Sequence, residues 1–547
     1  RTDATTTMTT MDHLLDDLTP PQKEAVLHTE GPLLVLAAAG SGKTRVITRR
    51  IAYLISCGVP AWSILALTFT NKAAGEMRER VQSMLAPDGE ETRQSRGLTV
   101  STFHALGARL IRRYGELAAH DGVQLGIKND FTIYTSPDQL AAVKATVLAL
   151  GLSTTNWPPR SVLGAISKAK NELLDADEYA ARAGDFFSKN IAKLYAGYQK
   201  RLRAANAADF DDLLMLTAKM LRESKAVREE CQKRWQYLLI DEYQDTNHAQ
   251  FTIASMLAGD GLAEGEGPNV CVVGDPDQAI YSWRGADITN ILEFEERYPK
   301  AAVITLGENF RSTAPILAAA DALIRHNKKR KHKDLFTSRE GGEPITAILC
   351  RDERHEAQLV ADWLRSHAEA DRLEAGATVE GYAWREMAVF YRTNALSRVM
   401  EDALREAGVP YVIARGTAFF DREEIKHALG YLRVVANQAD DVSLGRIVNV
   451  PTRGIGATSL GRVRDATAEA GISLWEGLRQ AERVPGLSTR AVNAMKGFVE
   501  LIDSWTGHGS FLGKEMTGSL SELVERVIRE SGLEKSYKRQ AETSKSE

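Results

Sequence analysis

Short runs of apolar residues alternate with helical text over the first part of the chain: LLVLA at 33–37, ILALTFT at 64–70, LTVSTF at 98–103, YLLID at 237–241, NVCVVGD at 269–275 and AAVITL at 301–306. A strand covered on both faces reads as a continuous apolar run, so these six predict buried parallel strands joined by crossover helices. Between Phe103 and about Trp235 the rhythm gives way to long helical patterns such as QLAAVKATVLALGL and KLYAGYQKRLRAA, which predict a mostly helical insertion. Apolar runs return at ITAILC (345–350), MAVFYR (387–392) and YVIA (411–414) and predict the start of a second sheet, short of strands, before helical text resumes from about Thr417. The expected fold class is therefore α/β. Residues 1–105 with 235–307 form a first core and 106–234 a helical insertion. Residues 308–416 begin a second core, and 417–547 form a second helical insertion.

Composition narrows the class. With 547 residues and 44% apolar content the chain suits several domains of ordinary size. Cys57, Cys231, Cys271 and Cys350 are far apart with no C-x-x-C pair, a usage that argues against a disulfide framework or structural zinc and suits a reducing cytosol. No apolar run approaches the roughly 18 residues of a membrane span, and the Thr-rich, acidic start has no apolar core, so no membrane is expected and the expected location is the cytoplasm. The net charge of −4 does not favour nucleic acid, so any such binding must come from local basic and aromatic surfaces.

The first apolar run leads into AAAGSGKTR. Small residues let backbone N–H groups turn inward around an anion, and the helix that follows points its positive end at the same place. Ala39, Gly40, Ser41 and Gly42 would line such a phosphate cradle, Lys43 would reach the β/γ-phosphates of ATP, and the Thr44 hydroxyl would bind Mg²⁺. The pattern G-x-x-x-x-G-K-[ST] wants glycine where Ala37 stands, although Gly40 and Gly42 supply freedom nearest the phosphates. A phosphate loop also needs a metal-holding carboxylate and a group that activates the nucleophile. LLIDEYQD supplies both at a strand end: Asp241 for Mg²⁺ and Glu242 to orient or deprotonate water. A carboxylate after the metal ligand favours water as acceptor, and so hydrolysis.

These segments and several others, in one order along the chain, resemble superfamily 1 DNA helicases of the UvrD/Rep/PcrA group. The likeness runs from about Leu18 and implies a P-loop fold with two RecA-like parallel-sheet cores, the second incomplete here, and two mainly helical inserted domains. In LTPPQKEAV the resemblance gives Gln22 the adenine edge. In LTFTNKAAGEMRERV it places Phe69 under a DNA base with Thr70 and Asn71 near phosphates, and in TFHALG it brings Thr102 and His104 to the backbone of the strand. Base stacking on an aromatic ring contributes about 1–3 kcal/mol and tolerates any sequence.

VVGDPDQAIYSWRGA, at 272–286, carries a polar sensor and two aromatics. By resemblance Gln278 contacts the γ-phosphate, Tyr281 and Trp283 face single-stranded DNA, and Arg284 ties the two. A Y-x-W pair is often core packing, but this one follows a turn-rich G-D-P-D-Q loop. In ENFRSTAPIL the same likeness makes Arg311 an arginine finger and stacks Phe310 on adenine opposite Arg45. Relatives often carry Tyr at the Phe310 place.

Three features are softer. RHNKKRKHK at 325–333 suits either phosphate contact or a solvated loop. YRTNALSRVMEDAL puts Tyr391 and Arg392 near the strand by resemblance. PTRGIG offers Arg453 and the backbone of Gly454 and Gly456 to a duplex phosphate. The family's later segments, including a V-H-x-A-K-G-L-E-F-like stretch and a last γ-phosphate arginine, are not found, so a shortened chain or a remainder carried elsewhere is expected.

The expected activity is ATP-dependent 3′-to-5′ unwinding of DNA, acting on single strands and single/double-strand junctions in DNA repair, in a bacterial, nucleoid-associated setting. An ATP-binding regulatory module or a helicase-nuclease subunit stays as the alternative. Repair proteins and self-association are left open as partners.

Overall fold

The computed structural model describes residues 13–85, 95–259, 268–328, 330–331, 333–369, 372–374, 377–379, 381–413, 422–470, 472–506 and 519–544. All six apolar runs of the first part form strands: β1 Leu33–Ala37, β2 Ile64–Thr68, β3 Thr99–Thr102, β6 Tyr237–Ile240, β7 Val270–Gly274 and β8 Ala302–Leu306, with the short β4 Thr132–Ile133 and β5 Ala207–Ala208 paired elsewhere. They build one sheet in the order β3-β2-β6-β7-β1-β8, every neighbour parallel. The registers are close: Leu33 lies beside Cys271 and Ala302, and Leu67 beside Ser101 and Ile240. Helices cover both faces, so β1, β2 and β7 are buried along their whole length. Parallel pairing has a direct consequence for function. The carboxyl ends of all six strands open at one edge, where ligands of open α/β sheets bind.

The chain between β3 and β6 is the expected helical insertion. The helices Phe103–His120 and Phe210–Glu223 lie on the sheet core, whereas Tyr134, Val147, Ile166, Tyr195 and Tyr198 form a separate apolar core. The later helices, from Glu423–Ala436 to Leu533–Ser544, gather around Tyr431, Trp475, Phe498 and Trp505. They meet the insertion through buried Asp138, which takes Arg433 at 2.8 Å and also Arg446, and through Asn437, whose amide donates to Thr132 and to the Ala205 carbonyl at 3.0 Å.

Residues 343–425 form a second compact unit. It holds the helices Glu353–Glu369 and Ser397–Glu406 and an antiparallel hairpin, β9 Arg372–Glu374 with β10 Ala377–Val379, around a small core of Ala361, Leu404 and Val409. The expected strands at 345–350, 387–392 and 411–414 do not pair: 345–350, 387–392 and 411–413 run without a ladder, and residue 414 lies outside the described residues. Leu349, Phe390 and Val412 are almost fully exposed. An apolar run becomes a strand only when a neighbouring strand takes its N–H and C=O groups, and among the described residues of this unit these runs have no ladder partner.

Candidate functional site

The edge opened by the parallel sheet collects most of the residues singled out in sequence. After β1 the chain turns through Ala38–Gly42 with Gly40 at φ +67 and Gly42 at φ +86, the left-handed region that glycine reaches without strain, and the helix Lys43–Ser56 begins. Both glycines are also crowded. A Cβ on Gly42 would lie 2.9 Å from the amide nitrogen of Gln22, and one on Gly40 would lie 2.8 Å from Arg311 Cβ and from Asn309 Nδ2. Gln22 is buried, and its amide donates to the Ser41 carbonyl at 2.9 Å while its oxygen accepts the Thr19 N–H. It props the loop from one side.

The other side is held by Asn309, which sequence reasoning missed. Its amide donates to the Ala39 carbonyl at 2.6 Å, its oxygen accepts the N–H groups of Arg311 and Ser312, and the Phe310 N–H donates to Gly40. The placement follows from β8 lying beside β1. Arg311 and Phe310 are exposed at that edge, and Arg45 is tied through its guanidinium to Asp17.

Lys43 crosses the mouth of the sheet. Its ammonium lies 3.1 Å from Glu242 Oε2 and donates to Gln278 Oε1 at 3.3 Å. Glu242 sits at φ 51, a left-handed conformation unusual outside glycine, and such strain clusters at working sites. Gln244, also missed, is buried and joins two strand ends: its amide donates to Glu242 Oε2 at 2.8 Å and its oxygen accepts the Asp275 N–H at 3.0 Å. Asp241 is buried, and burial together with the adjacent Glu242 pushes its carboxyl up to about 7, against the pull of Lys43. A carboxylate and a hydroxyl are hard-oxygen donors of the kind that suits Mg²⁺ completed by phosphates and water. By donor type, Asp241 and Thr44 would suit that ion.

The basic run at 325–333 divides: residues 325–328 are exposed, whereas the end of the run turns inward. Lys333 is buried and pairs with Asp275 and with Asp277 at 3.2 Å, Arg330 reaches Asp277 at 2.9 Å, and Lys331 pairs with Glu295. Residues 329 and 332 lie outside the described residues. Buried Asp275 and partly buried Asp277 need counter-charge, and this run supplies it. Asp275 in turn accepts from the Gln278 amide, so Lys333 steadies the turn that carries Gln278.

From that turn the chain reaches across to β2. Phe69 packs on Tyr281 with centroids 4.6 Å apart, and Tyr281 on Trp283 at 6.3 Å, which makes one aromatic run ending in Trp283, 73% exposed. Nearby, Thr70 caps the helix Asn71–Leu85 through the Ala73 N–H, Thr102 donates to Asn71 and caps the next helix, and His104 meets Phe210 edge-on. The Arg284 side chain lies outside the described residues. Arg453 turns inward: its guanidinium donates to the carbonyls of Pro451 and Ser531 and lies over Tyr431 and Phe498, while Gly454 and Gly456 are exposed. Tyr391 and Arg392 belong to the separate unit 343–425 and are exposed there.

With this geometry in view, comparison with known proteins decides the family. The model of the UvrD/REP helicase N-terminal domain matches residues 18–299, more than half of the chain, and that of the UvrD-like helicase C-terminal domain matches 304–486. The chain belongs to the UvrD/Rep helicase family. Relatives in that family include the ATP-dependent DNA helicase PcrA of Bacillus subtilis, 43% identical over 94% of this chain and 65% of that protein. That of Staphylococcus aureus is 41% identical over 97% of this chain and 68% of the relative. The chain thus spans about two thirds of the length of these relatives. The six-stranded parallel sheet carrying a phosphate loop is the P-loop fold that the family implies. Among the described residues no helix is long and apolar enough to cross a membrane.

Proposed function

We propose that this chain is the motor part of an ATP-dependent DNA helicase that moves along single-stranded DNA in the 3′-to-5′ direction, in the service of DNA repair. The observation that carries the proposal is a single short stretch, Asp275–Trp283. It carries Gln278, bonded to Lys43, and then Tyr281, packed on Phe69, with Trp283 against Tyr281. A group facing ATP and a platform facing DNA are separated by a few residues of one turn. The 41–43% identity to helicases named for ATP and DNA supports the substrates, and family likeness supports the polarity and the repair role.

The chemistry follows from the residues. The loop N–H groups and Lys43 bind the phosphates of ATP, with Gln22 and Asn309 fixing the loop from either side and Phe310 and Arg45 at the base. Mg²⁺ held by Thr44 and Asp241 would neutralise charge on the transferring phosphate. Glu242 orients water, Gln278 senses the γ-phosphate, and Arg311 stabilises charge as it develops. Phe69, Tyr281 and Trp283 stack bases, with Thr70, Asn71, Thr102, His104 and Arg284 toward the backbone and Tyr391, Arg392 and the 453–456 turn as further contacts. Division into two α/β cores with two helical insertions at the boundaries read from sequence belongs to the same proposal, as does a cytoplasmic location.

The test is ATP hydrolysis with and without oligo(dT), followed by strand displacement on a duplex with a 3′ single-stranded tail. Stimulation by oligo(dT) is expected. A rate indifferent to DNA would leave an ATP-binding regulatory module in its place.

A further inference from the structure

Asn171 ends the helix Pro159–Asn171 of the insertion and stands where three segments meet. Its carboxamide oxygen accepts from Asn247 Nδ2 at 2.5 Å, and its own Nδ2 donates to Asp211 at 3.1 Å and to the Ser167 carbonyl at 2.8 Å. Asn247 closes the short turn Tyr243–Asp245 after Glu242 and caps the helix His248–Ala258. A Cβ on Gly285 would come 3.8 Å from Asn171 Cβ, so the turn that closes the aromatic platform lies against the same residue.

Those two turns are also bonded to each other. The Thr246 carbonyl accepts from the Asp287 N–H at 2.9 Å and from Asn290 at 3.0 Å, and Asn247 bridges Ala286. The insertion presents Asn171 as a fixed point, because the preceding Lys170 is fully buried between Asp209 at 2.7 Å and Asp212 at 2.8 Å. Charges buried together resist displacement, since separating them leaves each uncompensated. A carboxamide suits this position: it offers an acceptor to Asn247 and a donor to Asp211, where a carboxylate would repel Asp211 and an apolar group would strand both.

We infer that Asn171 is a positioning residue through which the helical insertion holds the Glu242 turn and the Tyr281–Trp283 platform in one register, so that hydrolysis and grip on the single strand change together. This rests on the ATPase and DNA reading above. Amide hydrogen exchange of the full chain, compared among wild type, Asn171→Ala, Asn247→Ala and the double variant, tests the link without relying on activity. In Asn171→Ala exchange should rise in 243–247 and 281–287 together, by about tenfold, the scale of one lost hydrogen bond, with 43–56 and 64–68 unchanged. Asn247→Ala should raise exchange in the same two segments and also in the first turn of the helix it caps, and the double variant should add little to Asn247→Ala in 243–247 and 281–287.

In parallel, the ratio of ATP hydrolysis with oligo(dT) to that without should fall by about the same factor while the KM for ATP holds. An exchange increase confined to 159–171, or spread over the whole chain, overturns the inference, as does unchanged stimulation. If wild type shows no stimulation, the functional reading fails, and the exchange experiment still decides the role of Asn171.

Discussion

Lys43 and Lys170 are both lysines flanked by acidic side chains, and they sit in opposite surroundings. Lys170 is fully buried, and although burial disfavours its charge, Asp209 and Asp212 outweigh that and hold its pKa above the ordinary value. Its partners are satisfied in turn: Asp209 accepts from Tyr198 and caps Asp212, and Asp212 accepts from Gln199. Lys43 keeps one in ten of its side-chain surface exposed, shares its ammonium with Glu242 and Gln278, and lies beside an Asp241 raised by burial. Burial raises a carboxyl in both clusters, Asp212 to about 6 and Asp241 to about 7, so access is what separates them. The closed cluster has every partner buried, whereas the open one keeps Lys43 and Glu242 partly exposed to an arriving charged ligand.

The largest expected effects lie on the open cluster. Arg311→Ala should lower DNA-stimulated turnover by about 10³–10⁵, the scale of an arginine finger. Lys43→Ala should abolish turnover with single-stranded DNA binding kept. Steady-state hydrolysis measures both, and normal turnover in either variant removes the assignment. Next is the closed cluster. Lys170→Met should cost about 3–5 kcal/mol of stability in denaturant unfolding, because two carboxylates are left buried and unpaired. If Lys43→Met cost as much, the contrast between the two lysines would collapse.

A smaller effect is expected on the platform. Trp283→Ala should weaken single-stranded DNA binding by about 1–3 kcal/mol, equally for different sequences. Equal affinities of wild type and variant would make Trp283 a packing residue. The smallest concerns pH. The folded protein holds the Asp241 proton up to about 7, far above the unfolded value, so ionisation here costs stability progressively as pH rises through that window in the absence of metal. Asp241→Asn should therefore raise the melting temperature at pH 8 more than at pH 5. A gain that does not depend on pH would contradict the raised carboxyl.

The six strands of the sheet were legible because burial on both faces writes an uninterrupted apolar run, and the parallel order then gathers Lys43, Glu242, Gln278 and Phe69 at one edge. The runs at 345–350 and 387–392 look no different in sequence, yet lie unpaired, since a strand is a property of its neighbours as much as of itself. Asn309, Gln244 and Asn171 were not legible for a related reason. Each works by a carboxamide bridging segments far apart in the chain, and no local pattern marks an amide that will find such a partner. Lys333 was hidden inside a run that reads as a solvated loop, because its counter-charges, Asp275 and Asp277, lie more than fifty residues upstream.

The pairing of Lys43 with Glu242 has a consequence for timing. One ammonium cannot serve a carboxylate and a phosphate at full strength, so under the proposed reading ATP would compete with Glu242 for it, and the stronger anion would draw it away. The carboxylate released by that exchange would keep Gln244 as its link to Asp275. Bound fuel would then be the event that frees Glu242 to act on water, and a phosphate mimic too weakly charged to win the lysine would fill the cleft and leave Glu242 held.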